Sequence, residues 1–166
     1  MRTALLIVTG LTLAGCASYQ LGTGSTPSFS TVFVAPVRSD ALIPQAQVLV
    51  TTQLREALIR DGRVKLVSSS AEADAVLHVT LVNYDRTVAV SRSDDTGLAR
   101  RFDVTLNAQA TLTDNRSNKD YFTQRPLIAK RGIFTDSGLV PSEYQGLPLL
   151  AEELARETVR ALLDTW

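Results

Sequence analysis

Cysteine and histidine are nearly missing from this chain: one of each in 166 residues. A single cysteine excludes an intrachain disulfide and a cysteine-based zinc cage. A single histidine removes most catalytic triads and metal-ligand sets. Surplus charge is missing too. Seventeen Lys and Arg balance seventeen Asp and Glu, which argues against a strongly basic nucleic-acid binder and leaves room only for a local basic patch. The isolated Gly22-x-Gly24 follows no strand pattern and is no dinucleotide fingerprint. No apolar run is long enough to cross a bilayer as a helix. The leading one, Thr3 to Leu13, spans about eleven residues where about twenty are needed. What is present is a 45% hydrophobic chain of mean hydropathy +0.06, enough to build one core in a length that suits one domain.

Residues 1–15 read as a targeting segment and not as structure. Arg2 supplies a positive start, the short apolar run follows, and Leu13-Ala14-Gly15-Cys16 ends it. This resembles the bacterial lipoprotein signal, in which small residues precede a cysteine that is lipidated and becomes the mature N-terminus. The only thiol in the chain stands at the required position. On this reading residues 1–15 are removed, Cys16 carries covalent lipid such as diacylglycerol and palmitate, and no free thiol is left for catalysis. The mature chain of 151 residues then carries 16 basic and 17 acidic side chains. One acyl chain anchors marginally and two or more hold stably. Ala17, where an Asp would retain the protein at the inner membrane, resembles the sorting signal for the outer membrane. Residues 16–30, rich in Gly, Ser, Thr and Pro, read as a linker, and residues 31–166 as a single periplasmic α+β domain.

Within the domain, Thr31–Pro36 reads as a strand stopped by proline. Pro44 to about Asp61 reads as a helix with Ala46, Val50, Leu54, Ala57 and Leu58 on its buried stripe, Arg60 at its end and Gly62 just beyond. Val64–Val67 is a second strand and Ser68–Asp74 a turn. Ala75–Val90 is a long strand with Leu77, Val79 and Leu81 on one face, followed by a polar loop, Ser91–Ala99. Arg100–Thr113 returns with strict alternation: Phe102, Val104, Leu106, Ala108, Ala110 and Leu112 against Asp103, Thr105, Asn107, Gln109, Thr111 and Thr113. That period demands one dry face and one wet or partner-covered face. Tyr121–Phe134 reads as a further strand broken by Pro126, hence at an edge. Asp136–Gly146 reads as a loop, and Pro148 to about Asp164 as a final helix lined by Ala151, Leu154, Ala155, Thr158 and Leu162, with a Glu152–Arg156 pair. The order predicts a two-layer α+β sandwich: two amphipathic helices on one face of a mostly antiparallel sheet of four to five strands.

Several stretches together resemble the LptE family of lipopolysaccharide-assembly lipoproteins: Cys16–Gly22 at the mature start, Gln53-Leu54-Arg55 with Asp61–Val67, and Ala71–Val79 leading into the long strand. The hairpin and final helix follow in the family's order, and the likeness covers nearly the whole mature chain. The resemblance implies two helices on a four-stranded sheet and no enzymatic activity. It implies a lipid-anchored plug and assembly factor for an LptD-type outer-membrane β-barrel that delivers lipopolysaccharide to the outer leaflet. It also implies basic residues near the hairpin that contact lipopolysaccharide phosphates. Arg92 matches best by position, with Arg100 and Arg101 nearby. The family's further basic residue before the last helix has no counterpart in Gly132–Glu153, so Lys130 and Arg131 are the nearest candidates.

Each feature also has a plainer account. Arg92, Arg100 and Arg101 can belong to a solvated hairpin tip partly neutralised by Asp94 and Asp95. His78 can be an ordinary strand histidine. The acidic pairs Asp94-Asp95 and Glu152-Glu153 are adjacent in sequence and not opposed across a cleft, so they do not suit glycosidase chemistry. No nucleophile with a partner base, metal site or cofactor site is recognisable, and lipid on Cys16 is the only non-protein group expected. The alternative to a barrel partner is a lipid-anchored periplasmic accessory or binding subunit of another transport or secretion system.

Overall fold

The computed structural model describes residues 27–43, 45–91, 99–134 and 139–163. Cys16, the signal segment, most of the linker, Pro44 and Arg92 lie outside them. Six strands and two long helices follow in the order β1 (Thr31–Val34), β2 (Arg38–Ser39), α1 (Ala46–Asp61), β3 (Lys65–Leu66), β4 (Ala75–Ser91), β5 (Ala99–Asp114), β6 (Lys119–Phe134) and α2 (Leu139–Leu163). A 3-10 turn at Ser70–Glu72 leads into β4.

The sheet is mixed and six-stranded, where the sequence led to four or five mostly antiparallel strands. Its path is β3-β1-β4-β5-β6, with β2 also on β4. β1 runs parallel to β3 and β4, and β2 runs parallel to β4; only β4-β5-β6 is antiparallel. The cause is α1, which acts as the crossover that parallel pairing requires. Alternation shows which way a side chain faces and says nothing about which way its neighbouring strand runs. Pro36, which has no N–H to donate, separates β1 from β2 along the same edge of β4.

Both helices pack on one face. Ala46, Val50, Leu54 and Leu58 of α1 are fully buried, four residues apart along one stripe. Gly62 closes α1 with φ 74°, and its N–H donates to the Leu58 carbonyl at 3.1 Å. This is a left-handed cap that glycine adopts without strain. Against these helices lie Leu77, Val79 and Leu81 of β4 and Val104, Leu106, Ala108, Ala110 and Leu112 of β5, all within 3% of complete burial. Burying each leucine is worth about 2 kcal/mol.

The last helix starts earlier than its sequence suggests. It begins at Leu139, not Pro148, and takes up most of the expected loop. Pro148 sits inside it, removing one N–H and crowding the carbonyl four residues back. Burial of Gly146, Leu150, Ala151, Leu154 and Ala155 offsets that loss. Glu152 and Arg156 do approach, at 3.9 Å, but Arg156 bonds more closely to Glu153.

A bulge divides β4. Leu81 pairs with Ala108, and Asn83 with Asn107, so Val82 is an extra residue. An unbroken two-residue period would carry Asn83, Asp85 and Thr87 onto the helix face. The bulge turns them outward, beside Asn107, Thr105 and Asp103. Seventeen residues of β4 reach about 56 Å, against about 24 Å for the sixteen of α1. The helix therefore ends its cover near Leu81, and residues 82 to 89 are exposed except for half-buried Tyr84.

The opposite end, where the chain arrives from its N-terminus, is tied down. Asp74 accepts bonds from Ser30 Oγ (2.8 Å), Ser30 N–H (3.1 Å) and Thr31 N–H (3.0 Å), and pairs with Arg116. The Asp74 N–H donates in return to Thr31 Oγ1 at 2.8 Å. The Ser30 hydroxyl, followed by the Ser30 and Thr31 contacts, holds the Asp74 carboxyl far below the usual carboxylate range. Asn115 donates to the Ser70 and Ala73 carbonyls at 2.8 and 3.0 Å. Phe29 packs against Tyr121 with ring centroids 5.5 Å apart.

Candidate functional site

The helices cover one face of the sheet; nothing among the described residues covers the other. The open face of β4-β5-β6 carries His78, Thr80, Asn83, Asp85 and Thr87, then Arg101 to Thr113 at alternate positions, then Asp120, Pro126, Ile128, Lys130, Gly132 and Phe134. Its polar groups bond to one another. Asn107 Nδ2 donates to Asn83 Oδ1 (2.6 Å) and Asp85 Oδ2 (3.2 Å), and Asn83 Nδ2 donates to Asp85 at 2.9 Å. Thr113 and Thr123 hydroxyls donate to Asp120 at 2.6 and 2.9 Å, which lowers the Asp120 pKa. His78 is exposed there opposite Thr111.

The far end of this face holds a built cluster of charge. Asp103 sits between two cations: Arg101 Nη2 lies 3.1 Å from its Oδ1, and Lys130 Nζ lies 3.6 Å from its Oδ2. Gly132 lies across the strand from Asp103, and the space its missing side chain leaves is filled by Arg101. A Cβ there would stand 2.5 Å from Arg101 Nε and 2.7 Å from Nη2. Phe134 forms the other wall, with its ring centroid 5.9 Å from Arg101 Cζ. Arg101 Nε is buried and has no acceptor among the described residues. One carboxylate against two cations leaves a net positive charge. The guanidinium is preset by glycine below and phenylalanine beside it, a geometry suited to a carboxylate or phosphate oxygen.

Of the sequence candidates, Arg101 and Lys130 come together here. Arg131 does not join them: it is the next residue on β6, so it faces the helix side, opposite Val104. Arg100 belongs to β5 with its side chain outside the described residues, as are Arg92 and Cys16. Asp103, Gly132 and Phe134 were missed as site residues. Gly132, a lone glycine in a strand run, was the available signal, since such a glycine often marks a close approach.

The described residues contain no group of three His, Cys, Asp or Glu that could hold a metal, and no helix long and apolar enough to cross a membrane. A depression of about 330 Å³ at the tied end is lined by Phe29, Asp74, Arg116 and Tyr121, already engaged with one another or with the chain start.

Solved structures share this architecture. The protein CT253 of Chlamydia trachomatis is 15% identical with a TM-score of 0.59, over 82% of this chain and 96% of that one. Lipoprotein B of Nitrosomonas europaea is 14% identical with a TM-score of 0.55, over 87% of each. Protein XCC0632 of Xanthomonas campestris is 12% identical with a TM-score of 0.59, over 87% and 90%. At such identities the likeness concerns the fold. No curated protein sequence matches this one. The family model for LptE, described as lipopolysaccharide-assembly, matches residues 29–164, the whole body from the first buried phenylalanine to the end of α2. The chain belongs to the LptE lipopolysaccharide-assembly family.

Proposed function

We propose that this protein is a lipid-anchored assembly partner of an LptD-type outer-membrane β-barrel and acts as a plug in lipopolysaccharide delivery. It is tethered through Cys16 after removal of residues 1–15 and works without catalysis. The observation that carries this reading is the open sheet face. Three long strands present a surface that no described element covers; polar side chains bonded to one another fill most of it, with Ile128 and Phe134 along its β6 margin. A surface that must lie against the wet, polar lumen of a barrel needs that chemistry, and an apolar face would not serve. Arg101 and Lys130 offer the phosphates of lipopolysaccharide a guanidinium fork and an ammonium, with Arg92 and Arg100 farther along the same hairpin.

The test is purification of the tagged, lipidated protein from outer membranes in mild detergent, with mass spectrometry of what accompanies it. A large barrel in near one-to-one ratio, with gel mobility that shifts on heating, is expected. Recovery of a lone monomer, or of a soluble or inner-membrane partner, overturns the plug role in favour of an accessory subunit of another system.

A further inference from the structure

β6 is the edge of the sheet. One flank pairs with β5, and no strand among the described residues pairs with the other. An open edge is a template for another strand unless something blunts it. The half of β6 nearest the tied end is blunted. Its register shifts between Ala110 and Thr113, Gln124 has φ 47°, and Pro126 has no N–H. The other half, Leu127–Phe134, has no bulge, proline or left-handed residue; what guards it is the charge of Lys130 and Arg131, which repels a basic strand and admits an acidic one. It pairs with Arg101–Ala108 without a register shift and offers eight residues, about 26 Å, of regular backbone. α2 covers its helix face, where Leu127, Ala129 and Ile133 are buried, but Ile128 and Phe134 are about 60% exposed.

Charge selects the occupant. Tyr121–Phe134 contains Arg125, Lys130 and Arg131 and no acid. Arg125 is engaged with the Ala161 carbonyl at 3.0 Å. Lys130 shares Asp103 with Arg101 and is 62% exposed, and Arg131 is exposed on the other face. A strand laid on this edge meets one cation on each face. A second copy in an antiparallel register centred on this stretch brings Lys130 or Arg131 against its own equivalent and supplies no carboxylate to either, which is unfavourable. The chain's own residues 17–26 contain no charged residue to answer them. We infer that the Leu127–Phe134 edge accepts an extended segment of a partner protein with carboxylates opposite Lys130 and Arg131, by addition of a strand to the sheet. The inference goes beyond the plug role and holds whatever the partner's own fold.

The probe is a capped ten-residue peptide of alternating valine and threonine with two central glutamates, compared with the same peptide carrying two lysines. The protein is the chain from residue 16 with Cys16→Ser, which keeps every described residue. The glutamate peptide should bind about tenfold more tightly, since a cross-strand ion pair is worth up to about fivefold. It should slow hydrogen exchange at alternate amides within 127–134. In the double variant Lys130→Glu, Arg131→Glu the preference should reverse. Binding of neither peptide, or a preference that survives the reversal, overturns the inference. So does protection of these amides in the unmixed protein that vanishes on removing residues 17–26, or that rises with protein concentration. The first would assign the edge to the chain's own leader, and the second to another copy.

Discussion

The two halves of β4 have similar length and opposite fates. From Ala75 to Leu81 its alternate residues lie under α1 and are almost fully buried. From Val82 to Ala89 the strand continues past the helix and is exposed except for half-buried Tyr84. The first half is held by apolar burial and by bonds at its root, where Asp74 gathers the chain start and the β5-β6 turn. The second half is held by its ladder with β5 and by polar side chains bonded across the open face. The burial of β4 itself is concentrated at one end, and its exposed residues stand at the other. This division is expected of a body that presents a hairpin to something larger.

The sharpest way to break the comparison is to cut equally small pieces from each half. Val79→Ala, at a buried site in the first half of β4, should cost about 2.5 kcal/mol in thermal or denaturant unfolding. Val88→Ala, 56% exposed on the far half of β4, should change stability by less than about 0.5 kcal/mol. Similar losses at both sites would show that the far half carries core energy after all.

Next in size is the root. Asp74→Asn removes a carboxylate that accepts from Ser30 and Thr31, and should cost about 2 kcal/mol at neutral pH. The folded carboxyl binds its proton less readily than the unfolded one, with its ordinary value of 3.8, so the unfolded state takes up more protons in acid. The Asp74 contribution is therefore complete above about pH 5 and is lost as pH falls through 4 and below. Asp61, with Arg63 beside it, and Asp114, which accepts from the Arg116 and Ser117 N–H groups, are shifted in the same direction. Urea unfolding of both proteins between pH 2 and 7 should show the gap between native and Asp74→Asn shrinking in acid. A gap that stays constant with pH would remove the ionised carboxylate as its source.

Gly132→Ala separates function from stability at the far end. The added methyl displaces the Arg101 guanidinium, the far end of a long side chain that can swing aside, so unfolding should change by about 1 kcal/mol or less. Lipopolysaccharide binding should weaken about tenfold, as for Arg101→Ala, if the held guanidinium is what the phosphate meets. Unaltered affinity in both variants would remove this cluster from the proposed site. The smallest effect is expected at Thr158→Val in α2. The buried Thr158 hydroxyl donates to the Leu154 carbonyl of its own helix at 2.7 Å, so losing it should move the unfolding midpoint very little.

Much of this fold was legible in residue spacing. The stripe Ala46-Val50-Leu54-Leu58 and the alternation from Phe102 to Leu112 each have one buried face, and a period of 3.6 or 2.0 reports that directly. The edge position of β6 followed from Pro126. Three things were not legible. The parallel β1-β4 and β1-β3 pairings depend on where α1 carries the chain, which no local pattern encodes. The extension of α2 back through Pro148 to Leu139 depends on packing that offsets a local preference. The bulge at Val82 is decided by the ladder with β5, because only pairing reveals that one strand holds an extra residue.

The candidate site divides in the same way. The family resemblance marked Arg101 as a cation near the hairpin and Lys130 as the nearest candidate for a basic residue before the last helix, and the alternation of β5 required one wet or partner-covered face. That Lys130 and not Arg131 joins Arg101, that Asp103 stands between them, and that Gly132 makes room for the guanidinium were decided by the tertiary structure. Register is the physical reason: β6 lies beside β5 with Thr105 opposite Lys130 and Asp103 opposite Gly132. A slip of one residue would send every one of these side chains to the opposite face.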